Sequence, residues 1–198
     1  GYKDILEVEI LQMVKVIQNG EEVKMSKRSG KAITLRDLVD EVGKDPIRYF
    51  FAARSLNTQM DLDLDLAIRQ TNENPVYYLQ YANARIHSIF EQAKTKAISL
   101  DFENVDYSKI DLDVTSEILT TLALYPEVVE SSAESKSPHK LTTYLHKLAA
   151  QFHSLYNAKQ FVTTDHIETN AYLSLLNAVA TVLEDGLNLI GVSAPKKM

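Results

Sequence analysis

The period of the apolar pattern changes near residue 66. Before it, Leu6, Val8 and Ile10 alternate with Glu7 and Glu9 within an aliphatic run, which predicts a strand over Ile5–Ile17. Asn19-Gly20 is a hairpin signal, because both central residues of a type I′ turn need positive φ, and Glu22–Met25 is the expected return strand. Thr34, with Asp37 three residues on, predicts a capped helix that stops at Gly43. A second helix is expected from Asp45-Pro46 to about Ser55. Leu62, Leu64 and Leu66 then alternate with Asp61, Asp63 and Asp65, an extended lead into the next element. Beyond Leu66 the spacing turns helical. It predicts helices over 66–73, 75–96, 114–124, 126–133, 138–158 and 168–190, with the polar stretch 96–113 as a loop. The expected fold is mainly α, a helical bundle over 64–198 preceded by a small α/β unit with a strand hairpin over 1–63.

Two of these helices carry candidate chemistry. In the helix after Pro75, at about 100° per residue, Val76, Leu79, Ala82, Ile86, Ile89 and Phe90 form one apolar stripe. Tyr78, Tyr81 and Arg85 fall together on its flank at i, i+3 and i+7. Two phenols beside a guanidinium can stack unpaired bases. They can equally pack as a tyrosine ladder with Arg85 lying over it, and periodicity alone favours that second reading. In the helix 138–158, Leu141, Tyr144, Leu145, Leu148, Phe152 and Leu155 face inward, while His139, His146 and His153 recur every seven residues on the opposite side. Seven residues span about 10 Å of helix, too far for two ligands of one ion, so this stripe reads as a solvated face. Lys140 and Lys147 lie beside it.

The alternating aspartates fail the grammar of a calcium loop. Counting from Asp61, Leu66 stands where glycine is needed and Asn72 where a bidentate glutamate is needed. Helix capping explains them better, and no metal site is expected.

Composition narrows the class. With 198 residues, 45% hydrophobic and 24% charged, the chain is an ordinary globular protein with no cysteine for disulfides or thiolate metal sites. No apolar run is long enough for a bilayer, no membrane association is expected, and the cytoplasm is the default location. A net charge of −6 argues against coating nucleic acid by bulk electrostatics, so any RNA contact must be a local patch. The chain opens at Gly1 in what reads as mid-domain, so a piece of a longer protein is expected.

The segment Lys24–Gly30, KMSKRSG, holds three cations and no acid between a strand and a helix. Ammonium and hydroxyl donors on such a loop can reach polyphosphate oxygens, although a solvated basic turn has the same composition. KMSK is similar to the second signature loop of class I aminoacyl-tRNA synthetases. Together with KMSKRSGKAITLRDLVDEVGKDPIRYFFAARS, MDLDLDLA and NENPVYYLQYANARI in that order, it makes the chain resemble an arginyl-tRNA synthetase. The likeness is strongest from Val23 to Ile86 and weakest between Ser99 and Lys136.

The resemblance implies that residues 1–63 end a class I catalytic domain and that 64–198 form a helical anticodon-binding domain. It implies an arginine–tRNA ligase, in which the arginine carboxylate attacks the α-phosphorus of ATP and the arginyl group then passes to the terminal ribose of the tRNA. Lys24, Met25, Ser26 and Lys27 would form the ATP-binding loop, with Lys27, helped by Lys24, stabilising charge on the triphosphate. Tyr78, Tyr81 and Arg85 would contact the anticodon loop, Tyr156 would help enclose its middle base, and Met198 would reach the same loop. The implied partners are L-arginine, ATP with Mg2+, and the tRNA specific for arginine; a monomer is expected. The chain departs from the family in one respect. Class I synthetases need an upstream His-Ile-Gly-His motif, and none of His87, His139, His146, His153 and His166 has that spacing or a neighbouring glycine. The chain alone is therefore expected to be inactive. A stand-alone helical module that binds RNA or a protein partner, without catalysis, is the alternative.

Overall fold

The computed structural model describes residues 8–23, 34–98 and 100–198. Strand β1 (Val14–Gln18) turns through Asn19 and Gly20, with φ of 53° and 77°, into β2 (Glu21–Glu22). The cationic loop with Lys24, Met25, Ser26 and Lys27 lies outside the described residues. Helix α1 (Leu35–Val42) follows, and its capping box is complete: Asp37 N donates to Thr34 Oγ1 at 3.2 Å and Thr34 N to Asp37 Oδ2 at 2.7 Å. Gly43, at φ 89°, ends it by donating its N–H to Val39 O, and α2 (Lys44–Ala52) begins at once.

The alternating leucines form more than a lead-in. Met60–Asp63 is strand β3, paired parallel to β1 with Val14 opposite Met60, in the sheet order β2-β1-β3. Leu62 and Leu64 are fully buried, and the aspartates do local work. Asp63 accepts from Leu66 N at 3.0 Å to cap α3 (Leu64–Ala67), while Asp65 accepts from Asn19 N at 2.6 Å and pins the hairpin turn. Two expectations need correction. Residues 8–13 lie outside any strand, so the first strand is shorter than Ile5–Ile17. The helix expected over 66–73 contracts to the single turn of α3, because the Asn74 amide donates to Ala67 O at 3.0 Å and Arg69 O at 2.8 Å. Asn74 then accepts from Val76 N at 3.2 Å and caps α4 (Pro75–Thr95) instead.

The remainder is helical: α5 (Leu112–Ala123), α6 (Tyr125–Glu134), α7 (Pro138–Ala158) and α8 (His166–Leu189). The loop between α4 and α5 holds one short 3-10 turn, Tyr107–Lys109. The fold is thus mainly α with a small mixed sheet. Two hydrophobic clusters fill it. The smaller joins Val16, Leu38, Ile47, Met60, Leu62 and Leu64; the larger, including Leu79, Ile86, Leu148, Phe152, Leu176 and Leu183, lies within the bundle. Helix α2 bridges them. Arg48 Nε donates to Ile190 O at 2.8 Å, and Asp45 accepts from Gln80 Nε2 at 2.9 Å and from the Ser193 hydroxyl. Gly191, at φ 73°, passes so close to the Arg48 guanidinium that any side chain there would collide with it. Among the described residues no helix is long and apolar enough to cross a membrane.

Candidate nucleic-acid interface

Where α4 packs on α7, planar side chains from the two helices interleave. Tyr78, Tyr81 and Arg85 are half-buried, neither sealed in the core nor fully exposed. The Arg85 guanidinium carbon sits 4.5 Å from the Tyr81 ring centroid and 4.4 Å from that of Tyr156, on α7. Spacing of i, i+4 on α4 supplies the first contact, and the close approach of α7 supplies the second. Both rings attract the cation electrostatically and restrict its position. Its N–H edge is left to act, since no carboxylate among the described residues pairs with it. A guanidinium with free N–H groups can give two parallel hydrogen bonds to a base edge or a phosphate.

Three members of this cluster were not singled out from the sequence as site residues. Tyr77 stacks on Tyr81 at 5.7 Å with planes 17° apart. Tyr78 lies between two imidazoles, 5.0 Å from His146 and 4.6 Å from His153. The reading of the histidine stripe as a solvated face therefore needs correction. His146 is exposed and His139 half-buried, but His153 is only 9% exposed because α4 covers that side of α7. The heptad spacing that is too long for a shared metal is about three ring thicknesses, which leaves room for one tyrosine between two imidazoles. That spacing, set against a tyrosine-rich neighbour helix, was the available signal. Among the described residues no group of three or more His, Asp or Glu side chains converges as a metal ion would need.

Burial pushes the pKa of His153 down, opposed by a weak hydrogen bond to Tyr78 O at 3.5 Å and reinforced by the positive charge of Arg85 and by His146. The unfolded chain therefore takes up a proton here before the folded protein does. Stability from this site is complete above the ordinary histidine pKa, about 6.5, and declines as pH falls below it toward the folded value. The expected result is that His153→Phe reduces the loss of melting temperature between pH 7 and pH 5 relative to the parent chain.

The carboxyl-terminal segment runs along another face of α4. Gln80 Nε2 donates to Ser193 O at 3.0 Å, and Asn83 Nδ2 to Ala194 O and Pro195 O at 3.3 and 3.2 Å. Lys196 Nζ lies 3.9 Å from Glu184, which also holds His87 at 2.7 Å. Asn83 is two residues from both Tyr81 and Arg85, about 160° away around the helix. The structure thus brings Tyr81, Arg85 and Tyr156 together, with Tyr78 beside them. It anchors the segment leading to Met198, itself 55% exposed, on the far side of α4.

A helical bundle with an arginine held against two tyrosines and further stacked rings beside it fits a domain that handles unpaired bases. The family profile of the DALR anticodon binding domain matches residues 79–198, more than half of the chain, and the chain belongs to that family. Arginine–tRNA ligases of Bacillus licheniformis and Geobacillus kaustophilus are each 50% identical over 200 residues, which takes in 100% of this chain and 36% of theirs. The chain thus spans little more than a third of the length of these curated relatives. Among solved structures, a candidate arginyl-tRNA synthetase of Campylobacter jejuni matches with a TM-score of 0.83 and 31% identity, covering 95% of this chain and 40% of that one. Thermus thermophilus arginyl-tRNA synthetase, at 24% identity and a TM-score of 0.73 over 92% of this chain and 34% of that one, shares the fold.

Proposed function

We propose that the chain is part of an arginine–tRNA ligase: residues 1–63 carry its ATP-binding loop, and residues 64–198 bind the anticodon loop of the arginine tRNA. The observation that carries this reading is the Arg85 guanidinium held against both Tyr81 and Tyr156, without a described carboxylate partner, in a chain of the anticodon-binding family. In the proposed complex Arg85 gives hydrogen bonds to a base edge, and the Tyr78, Tyr81 and Tyr156 hydroxyls add donors at the rim. Met198 would reach the loop from the segment anchored on Gln80 and Asn83.

In the longer protein, Lys27 and Lys24 would meet the triphosphate of ATP, with magnesium entering as part of the nucleotide substrate, and Met25 and Ser26 would shape the loop. Asp45, three residues beyond the end of α1, bonds to both Gln80 of α4 and Ser193 of the terminal segment.

The test is a gel-shift titration of the 198-residue chain with the arginine anticodon stem-loop and with a stem-loop of another specificity, beside an aminoacylation assay. Preferential binding of the arginine stem-loop without aminoacylation is expected. Equal binding of both RNAs would leave a general RNA-binding module, and robust aminoacylation by the chain alone would refute the division of labour.

A further inference from the structure

A planar group can stack through two faces, and following which faces are occupied shows where a base can be received. Arg85 already lies over two rings, Tyr81 and Tyr156. Tyr78 likewise contacts two imidazoles, His146 stacked on it and His153 tilted by 53°. These interior members of the ribbon offer edges and hydroxyls, not open faces. His146 differs. It is exposed, its plane lies within 23° of that of Tyr78, and its other face meets no ring among the described residues. Lys147 follows it in α7.

We propose that the outer face of His146 is a stacking site for a second unpaired nucleobase of the same RNA, distinct from the base read at Arg85 and Tyr156. The proposal rests on the anticodon-binding reading above and extends it. A base laid on His146 extends the stacked His146–Tyr78 pair, which the tilted ring of His153 backs at 4.6 Å from Tyr78, so the surface offered is ordered before RNA arrives. Every base has a π face, so this position adds affinity with little sequence preference. Selectivity remains at the Arg85 edge.

The experiment uses the 198-residue chain, the arginine anticodon stem-loop with 2-aminopurine placed at successive loop positions, and the variants His146→Ala, His146→Phe and Arg85→Ala. His146→Ala is expected to weaken binding about 5- to 100-fold and to abolish quenching of 2-aminopurine at one loop position. His146→Phe should keep both the affinity and the quenching, since it keeps an aromatic face and removes the imidazole nitrogens. The salt dependence should be the same in all three His146 forms, because stacking neutralises no phosphate. Binding by His146→Ala as tight as the parent's overturns the site. So does a His146→Phe variant as weak as His146→Ala with a shallower salt dependence, which makes His146 a phosphate contact. If Arg85→Ala loses affinity while His146→Ala does not, the second base site falls and the anticodon-binding reading stands. If the parent chain binds no stem-loop at all, both fall.

Discussion

Arg85→Ala is expected to weaken binding of the arginine anticodon stem-loop about 10- to 150-fold. The figure follows from hydrogen bonds to a charged group, each worth about 1.5–3 kcal/mol when the partner is left unpaired. Arg85 contacts Tyr81 and Tyr156 at 4.5 and 4.4 Å, so its position is restricted before RNA binds and little is lost to side-chain ordering. Arg85→Lys separates charge from shape. An ammonium keeps the charge but lacks the flat fork, so a variant nearly as weak as alanine means that the edge reads a base. A lysine variant close to the parent, with a shallower salt dependence for alanine, would place a phosphate there instead. Arg85 is half-buried and pairs with no described carboxylate, so its removal strands no buried charge and thermal melts of the variants should agree closely.

The local features of this fold were legible because local residues decide them. Asn19-Gly20 turns the hairpin, Thr34 and Asp37 cap α1, and Gly43 stops it, each through bonds spanning only a few residues. The parallel pairing of β3 with β1 was not legible, since nothing near Met60 shows that its partner lies at Val14. The shortness of α3 depended on a single side chain, Asn74, competing for the carbonyls that a longer helix would have used. The same division holds in the candidate interface. Tyr81 and Arg85 are one helical turn apart and could be placed on one flank from spacing alone. Tyr156 joins them from another helix, and His153 is buried only because α4 lies against it. A periodicity calculation treats each helix as though its far side met water, and the histidine stripe shows where that assumption fails.

In the longer protein, Lys27→Ala is expected to lower arginine-dependent ATP–pyrophosphate exchange by at least about 100-fold. Removing one preorganised donor from a developing negative charge commonly costs about 3–4 kcal/mol of transition-state stabilisation, which sets that figure. The loss should fall mainly on kcat, with the apparent KM for ATP less affected, because a group that acts on charge developing in the transition state does little for ground-state binding. Lys24→Ala should be milder, since Lys24 has only the helping role in the proposed reaction. Arg in place of Lys27 restores the charge but not the compact ammonium, so partial recovery is expected. Stem-loop binding should not change in any of these variants, because the Arg85 cluster is built wholly from α4 and α7. Near-normal exchange by Lys27→Ala would remove the loop from catalysis. A parallel loss of RNA affinity would instead make the cationic segment part of the RNA surface.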